Sequence, residues 1–362
     1  MRQHFNQPAP LARRKVCAML TALLMAFAAF AAASALTVSG AQEAKNFKRV
    51  AATSLAAETG TGVFDGQRAY AHVRKQVEFG PRPAGSEALA RTRRYLTGEL
   101  KSYGLRVTLD EFTAKTPLGR RRMANLTAEL PGQSDEFILI ASHYDTKLYR
   151  DFVFLGANDG GSSTGVLLEL ARVLAREPRR NYFTYRFVFF DGEEAFCREW
   201  SECGSEREPD NTYGSRRYVA RLRERGELKR ARALVLLDMV GYRELELGRD
   251  TSSTPWLVDL VWRAAHGLGF NEQFTEREEH VGGDDHTPFL AAGVPAVDLI
   301  QLDTYPHWHT PEDTLDKVSA ESLRIVGQTV LAALPLIESK LREGNARAGA
   351  VATQGAWEET GF

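Results

Sequence analysis

The period of the apolar positions changes several times along the chain, and each change marks an element. An apolar stretch comes first, Val16 to Val38, interrupted only by Thr21, Ser34 and Thr37 and preceded by Arg13, Arg14 and Lys15. Helical periodicity follows at 66–79 and 86–103, the former stopped by Gly80-Pro81-Arg82-Pro83. Positions then alternate from Leu105 to Phe112, and Pro117 and Gly119 within Lys115–Arg122 predict a hairpin turn. Four short, nearly continuous apolar runs come next: Phe137–Ala141, Tyr185–Phe190, Leu234–Leu237 and Val294–Ile300. Such runs are the mark of strands buried on both faces. Helical stretches are expected at 164–176, 214–225, 255–267 and 319–341. Strand and helix in alternation predict an α/β fold, a single globular domain with a twisted, largely parallel mixed central sheet flanked by helices.

The ends of the chain read differently. Residues 1–41 have the basic flank, apolar core and small residues of a signal peptide, and the run is also long enough for an N-terminal anchor. Either reading places the rest outside the cytoplasm, periplasmic or secreted. Residues 42–63 read as a linker, 64–341 as the domain, and 342–362, Gly/Ala-rich without an apolar period, as a flexible tail. No other stretch is expected to reach transmembrane length.

Composition narrows the function classes. With 46 basic against 47 acidic residues, a net charge of -1 gives no reason to expect nucleic acid as partner. A membrane contact is expected only if the N-terminal segment stays uncleaved. Three cysteines exclude a four-cysteine zinc site. Cys17 lies in the leader, which leaves Cys197 and Cys203 as a pair in an oxidising compartment. A local disulfide is the expected state; two free thiols or a cysteine nucleophile are the alternatives.

The chemistry-bearing residues collect at strand ends. His143 and Asp145 follow the first buried run, Asp191, Glu193 and Glu194 the second, Asp238 ends the third, and His309 lies beyond the fourth. Sites in open α/β sheets form outside the carboxyl ends of the strands, so these residues are expected to converge. Asp159, in a Gly156–Gly165 loop that opens a helix, completes the set. Singly, each has a plain reading: Asp159 as a helix cap, His143 as a core histidine, Glu193-Glu194 as loop charge. Together, His143, Asp159, Glu194, Asp238 and His309 form the imidazole-and-carboxylate set that suits Zn²⁺. Paired glutamates let one bind metal while the other handles protons.

The series His143-Tyr144-Asp145, Gly156-Ala157-Asn158-Asp159, Asp191-Gly192-Glu193-Glu194, Asp238 and His309 resembles the M28 zinc peptidase superfamily. Within it, the resemblance is to the glutaminyl-peptide cyclotransferases, or glutaminyl cyclases. Phe189–Phe196, Asp284-Asp285-His286-Thr287-Pro288-Phe289 with Gly293-Val294-Pro295, and Trp308-His309-Thr310 are similar to that branch, and the likeness spans about 65–340. The resemblance implies a zinc aminopeptidase (phosphorylase/hydrolase-like) fold and one zinc held by Asp159, Glu194 and His309. It also implies Glu193 as proton shuttle, with Asp238 and Asp284 in an acidic network beside it. Trp308, Trp200 and Tyr305 would contact substrate. The expected substrates are peptide or protein N-termini, with N-terminal glutamine converted to pyroglutamate and ammonia released.

The alternative is a dizinc aminopeptidase, in which His143 and Asp238 hold a second zinc and Asp159 bridges. Asp284 in place of the peptidases' usual serine, together with Trp308, favours the cyclase. An inactive exported binding protein on the same fold is the remaining alternative, against which the intact ligands and base argue. His286 is expected to make a structural hydrogen bond near the site, and His307 to point away from it.

Overall fold

The computed structural model describes residues 63–176 and 181–358, with side chains as far as Gly344. The expected leader, linker residues 42–62 and Cys17 lie outside the described residues.

Two helices open the domain, α1 (Gly66–Glu78) and α2 (Glu87–Ser102), capped by the side chains of Asp65 and Ser86. The predicted hairpin follows as β1 (Arg106–Thr116) and β2 (Gly119–Leu130), turning at Pro117-Leu118. Then come β3 (Phe137–His143), α3 (Gly161–Arg176), β4 (Thr184–Phe190), α4 (Tyr213–Glu224) and β5 (Ala231–Asp238). The last third holds β6 (Leu247–Asp250), α5 (Pro255–Gly267), β7 (Phe274–Glu279), α6 (Thr287–Ala291), β8 (Ala296–Ile300) and α7 (Ala320–Glu358).

The main sheet has the order β1-β2-β4-β3-β5-β8. The hairpin joins it antiparallel, while β4, β3, β5 and β8 run parallel. Every residue of β3 is buried, and alternation divides them between two cores. Ile138 and Ile140 enter the larger apolar cluster with α3, whereas Phe137, Leu139 and Ala141 pack with Phe190, Leu234 and Phe289 on the opposite face. Connections leave β3 towards β4 on one side, and the chain later crosses back to β5 on the other. The carboxyl ends of β3 and β5 therefore flank the point where strand order reverses, where α/β sheets open a crevice.

Two expectations need correction. The segment 342–362, read as a flexible tail, is helical as far as Glu358, because α7 continues past 341. Its buried stripe of Val326, Val330, Leu334, Ile337 and Leu341 ends there, but the following alanines favour helix and no proline stops it. Within α7, Ala320–Gly344 is long and apolar enough to cross a membrane, contrary to the reading that only the leader is. Its 18-residue window is 56% buried, and α7 packs on α1, α3 and α5, as a core helix does.

His72 on α1 gives the fold an acid-sensitive point. It is 5% exposed, its Nδ1 is 2.6 Å from the Tyr95 hydroxyl, and its Nε2 has no partner. Burial drives its pKa down from 6.5 to about 4, so the folded protein holds it neutral. Its contribution is complete above pH 6.5 and is lost as pH falls towards 4, because only the unfolded chain takes up the proton in that window. His72→Gln should remove on the order of 2–3 kcal/mol of the stability difference between neutral and acid pH. Urea unfolding of both proteins across that range measures it.

Candidate metal centre and active site

The register of β3 and β5 places Ala141 opposite Leu236, so two residues on, His143 and Asp238 leave the sheet side by side. His143 Nε2 is 3.1 Å from Asp238 Oδ1 and 3.3 Å from Asp159 Oδ1. The other oxygen of Asp159 faces a second histidine, with Oδ2 3.4 Å from His309 Nε2. That same nitrogen lies 3.3 Å from Glu194 Oε1. Two groups of ligand atoms thus form, His143–Asp159–Asp238 and Asp159–Glu194–His309, and they share Asp159.

Local folding explains how Asp159 gets there. It precedes α3 in a loop held by Asp313, whose carboxylate accepts the backbone amides of Asn158 at 2.8 Å and Asp159 at 3.0 Å. Gly160 has φ +70°, and a Cβ on it would stand 2.7 Å from the Asp145 carbonyl oxygen and 2.9 Å from the His143 ring. Only glycine fits that turn without displacing a ligand. Arg82, fully buried, donates to the carbonyls of Leu155 at 2.8 Å and Gly156 at 2.9 Å and holds the start of the same loop.

Glu193 and Glu194 follow β4. Their amides donate to the two oxygens of Asp145, at 3.1 and 3.4 Å, and the Glu193 carbonyl accepts the Thr212 amide at 2.8 Å. Asn125, within a sequence that matches a glycosylation sequon, is 1% exposed and receives the Asp191 amide on its Oδ1, so it braces this segment from within. Among the described residues, the non-glycine positions with positive φ are Thr212, Met239 and His309. All three sit at the site or next to a residue of it, where backbone strain tends to be kept.

The electrostatics are those of a cation site. Burial opposes protonation of His309, yet Glu194 and Asp159 outweigh it and push its pKa up to about 9. His143 is likewise raised well above 6.5, burial being outweighed by Asp238 and Glu193. Burial disfavours charge on Asp159 too, but hydrogen bonds to His143 and His309 win and hold it below the usual carboxylate range. Carboxylates that hold protons on two imidazoles will hold a divalent cation in their place. Ligand atoms 2.0–2.1 Å from a tetrahedral zinc stand about 3.3 Å apart, and the histidine–carboxylate pairs here are 3.1–3.4 Å apart. The donors gathered in these groups, imidazole nitrogen and carboxylate oxygen, suit zinc.

Glu193 is 5% exposed and its pKa is raised well above 4.5, by burial first and then by Glu194, Asp284 and Asp285 against an opposing His143. Asp284 is buried and pushed up by burial, Asp298 and Asp238. Trp308 is 42% exposed and its ring stacks on His309, centroids 4.4 Å apart. Trp200 is half-buried, its Nε1 3.9 Å from where a Cβ on Gly283 would stand, beside Asp284. Tyr305 departs from expectation. It is 4% exposed and turned inward, its hydroxyl donating to Asp313 at 2.8 Å, so it braces the Asp159 loop instead of facing substrate. Its ring packs edge-on against Tyr242, centroids 5.1 Å apart. His286 makes the expected structural bond, to the Ser252 hydroxyl at 2.7 Å, and His307 packs against Tyr242 and Tyr305. The Cys197 and Cys203 sulfurs stand at bonding distance, closing a short loop around Trp200.

The profile of peptidase family M28 matches residues 125–334, more than half of the chain. A glutaminyl-peptide cyclotransferase of Bothrops jararaca is 31% identical over 68% of this chain and 75% of its own length. The solved glutaminyl cyclase of an Acidobacteriales bacterium is 37% identical, with TM-score 0.71 over 78% of this chain and 98% of that one. The chain belongs to the glutaminyl-peptide cyclotransferase branch of peptidase family M28. A leucine aminopeptidase precursor from Bacteroides thetaiotaomicron shares the fold at 28% identity, with TM-score 0.69 over 76% of this chain and 98% of its own. These matches agree with the fold class and family expected from the strand-end motifs.

Asp313, Arg82 and Lys147 escaped the sequence reading. Each is a charged residue in a loop, and no local pattern marks such a residue as buried.

Proposed function

We propose that this chain is a zinc-dependent glutaminyl-peptide cyclotransferase that converts N-terminal glutamine to pyroglutamate. The observation that carries the reading is the Asp159–Glu194–His309 group with Glu193 next in the chain and Trp308 stacked on His309. Asp159, Glu194 and His309 would hold the zinc, which when bound supplies a Lewis acid for the γ-carboxamide carbonyl. Trp308 forms an apolar wall for the glutaminyl side chain. Glu193 takes a proton from the α-amine as its nitrogen bonds to the carboxamide carbon (Cδ), then gives that proton to the amide nitrogen, which leaves as ammonia as its C–N bond breaks. Asp238 and Asp284 set the charge around Glu193. The expected export, and the disulfide at Cys197–Cys203, belong to the same reading.

Incubating the protein with a Gln-initiated peptide tests it. The expected product has lost one ammonia, with one zinc bound per chain. The second reading, a dizinc aminopeptidase, is favoured by one observation: Asp159 also belongs to the His143–Asp238 group. A released N-terminal residue and two zincs per chain would establish that reading and overturn the first.

A further inference from the structure

Lys147 is 1% exposed, four residues beyond the end of β3 in the loop that follows His143. Its Nζ donates to the carbonyls of Ala195 at 2.9 Å and Cys197 at 3.2 Å. The same ammonium stands 3.8 Å from Glu194 Oε2. One short loop therefore grips the Glu193–Cys197 segment from both sides, since Asp145 accepts its amides while Lys147 takes its carbonyls. Burying an ammonium is costly unless it is paired, and Glu194 Oε2, itself buried without a hydrogen-bond partner, is the carboxylate oxygen it meets. The two oxygens of Glu194 are thereby divided: Oε1 faces His309 and the shared Asp159 group, and Oε2 faces Lys147.

We propose that Lys147 is a positioning residue that keeps Glu194 a one-oxygen metal ligand, by holding Oε2 away from the metal. This rests on the reading of Asp159, Glu194 and His309 as the zinc site. Its consequence is a coordination position left free for substrate, which a two-oxygen Glu194 would fill. Partners that orient a ligand from behind typically change metal affinity 10–100-fold when removed.

The test compares Lys147→Gln, which keeps a donor for the carbonyls but loses the charge, with Lys147→Met, which loses both. Zinc affinity by competition with a chromogenic chelator and the visible spectrum of the cobalt-substituted protein are the readouts. The cobalt bands of both variants are expected to weaken as four-coordinate metal gives way to five-coordinate, and their zinc affinity to shift about 10–100-fold from wild type. Wild-type affinity and spectrum in Lys147→Gln would overturn the proposal and leave Lys147 a clamp on the backbone. Should Lys147→Met fail to fold, Lys147→Gln in a Glu194→Ala background decides. An effect on zinc affinity that vanishes without Glu194 supports the proposal, and one that persists overturns it. None of these readouts needs turnover, so a protein that binds zinc through Lys147 and Glu194 but cyclises nothing would refute the assigned reaction alone.

Discussion

Glu193→Gln is expected to lower kcat on a Gln-initiated peptide by about 10²–10⁴-fold, with little change in KM or zinc content. The substitution keeps the volume of a side chain that is 5% exposed, so no cavity opens. The backbone is held independently of that side chain, by Asp145 on the amide and Thr212 on the carbonyl. What is lost is the ability to accept and return a proton, beside a carboxylate cluster whose burial and charge favour a protonated acid. Metal analysis and steady-state kinetics on the same sample separate the outcomes. Turnover within tenfold of wild type would show that the amine proton leaves by another route, with Asp284 the next group to test.

The parts of this picture that sequence reading reached share a physical property. Buried parallel strands need continuous apolar runs, so β3, β4, β5 and β8 stood out, and a polar residue directly after such a run has to be at a strand end. His143, Asp238 and Glu194 were legible for that reason. The short β6 and β7 were not, because β6 is only four residues long and ends in Arg249-Asp250, while β7 alternates in exposure and carries charge, as a surface loop does. Tyr305 and Lys147 show the other limit. A resemblance placed Tyr305 at the substrate, but one hydrogen bond to Asp313 sends it inward. Lys147 looks solvated by type, and only the converging carbonyls of Ala195 and Cys197 explain its burial. Long-range partners of this kind leave no periodicity in the chain.

Asp159 is the residue on which both ligand groups depend, so Asp159→Ala is expected to abolish activity and weaken zinc binding by more than about 100-fold, beyond the loss typical of an outer partner. His143→Ala separates the two functional readings. If the working metal sits among Asp159, Glu194 and His309, that variant keeps its zinc, because His143 meets Asp159 only through the opposite carboxylate oxygen. It loses a buried cation that Asp145, Asp238 and Glu193 all face, so folding stability should fall while zinc stoichiometry stays at the wild-type value. In the dizinc arrangement the same variant sheds a metal ion, and peptidase turnover falls with it. Zinc per chain for wild type, Asp159→Ala and His143→Ala, measured beside thermal unfolding, therefore assigns His143. Unchanged stoichiometry with a lowered melting temperature makes it a structural counter-charge to the acids around it. A halved stoichiometry makes it a ligand, and the cyclase reading then has to give way to the hydrolase.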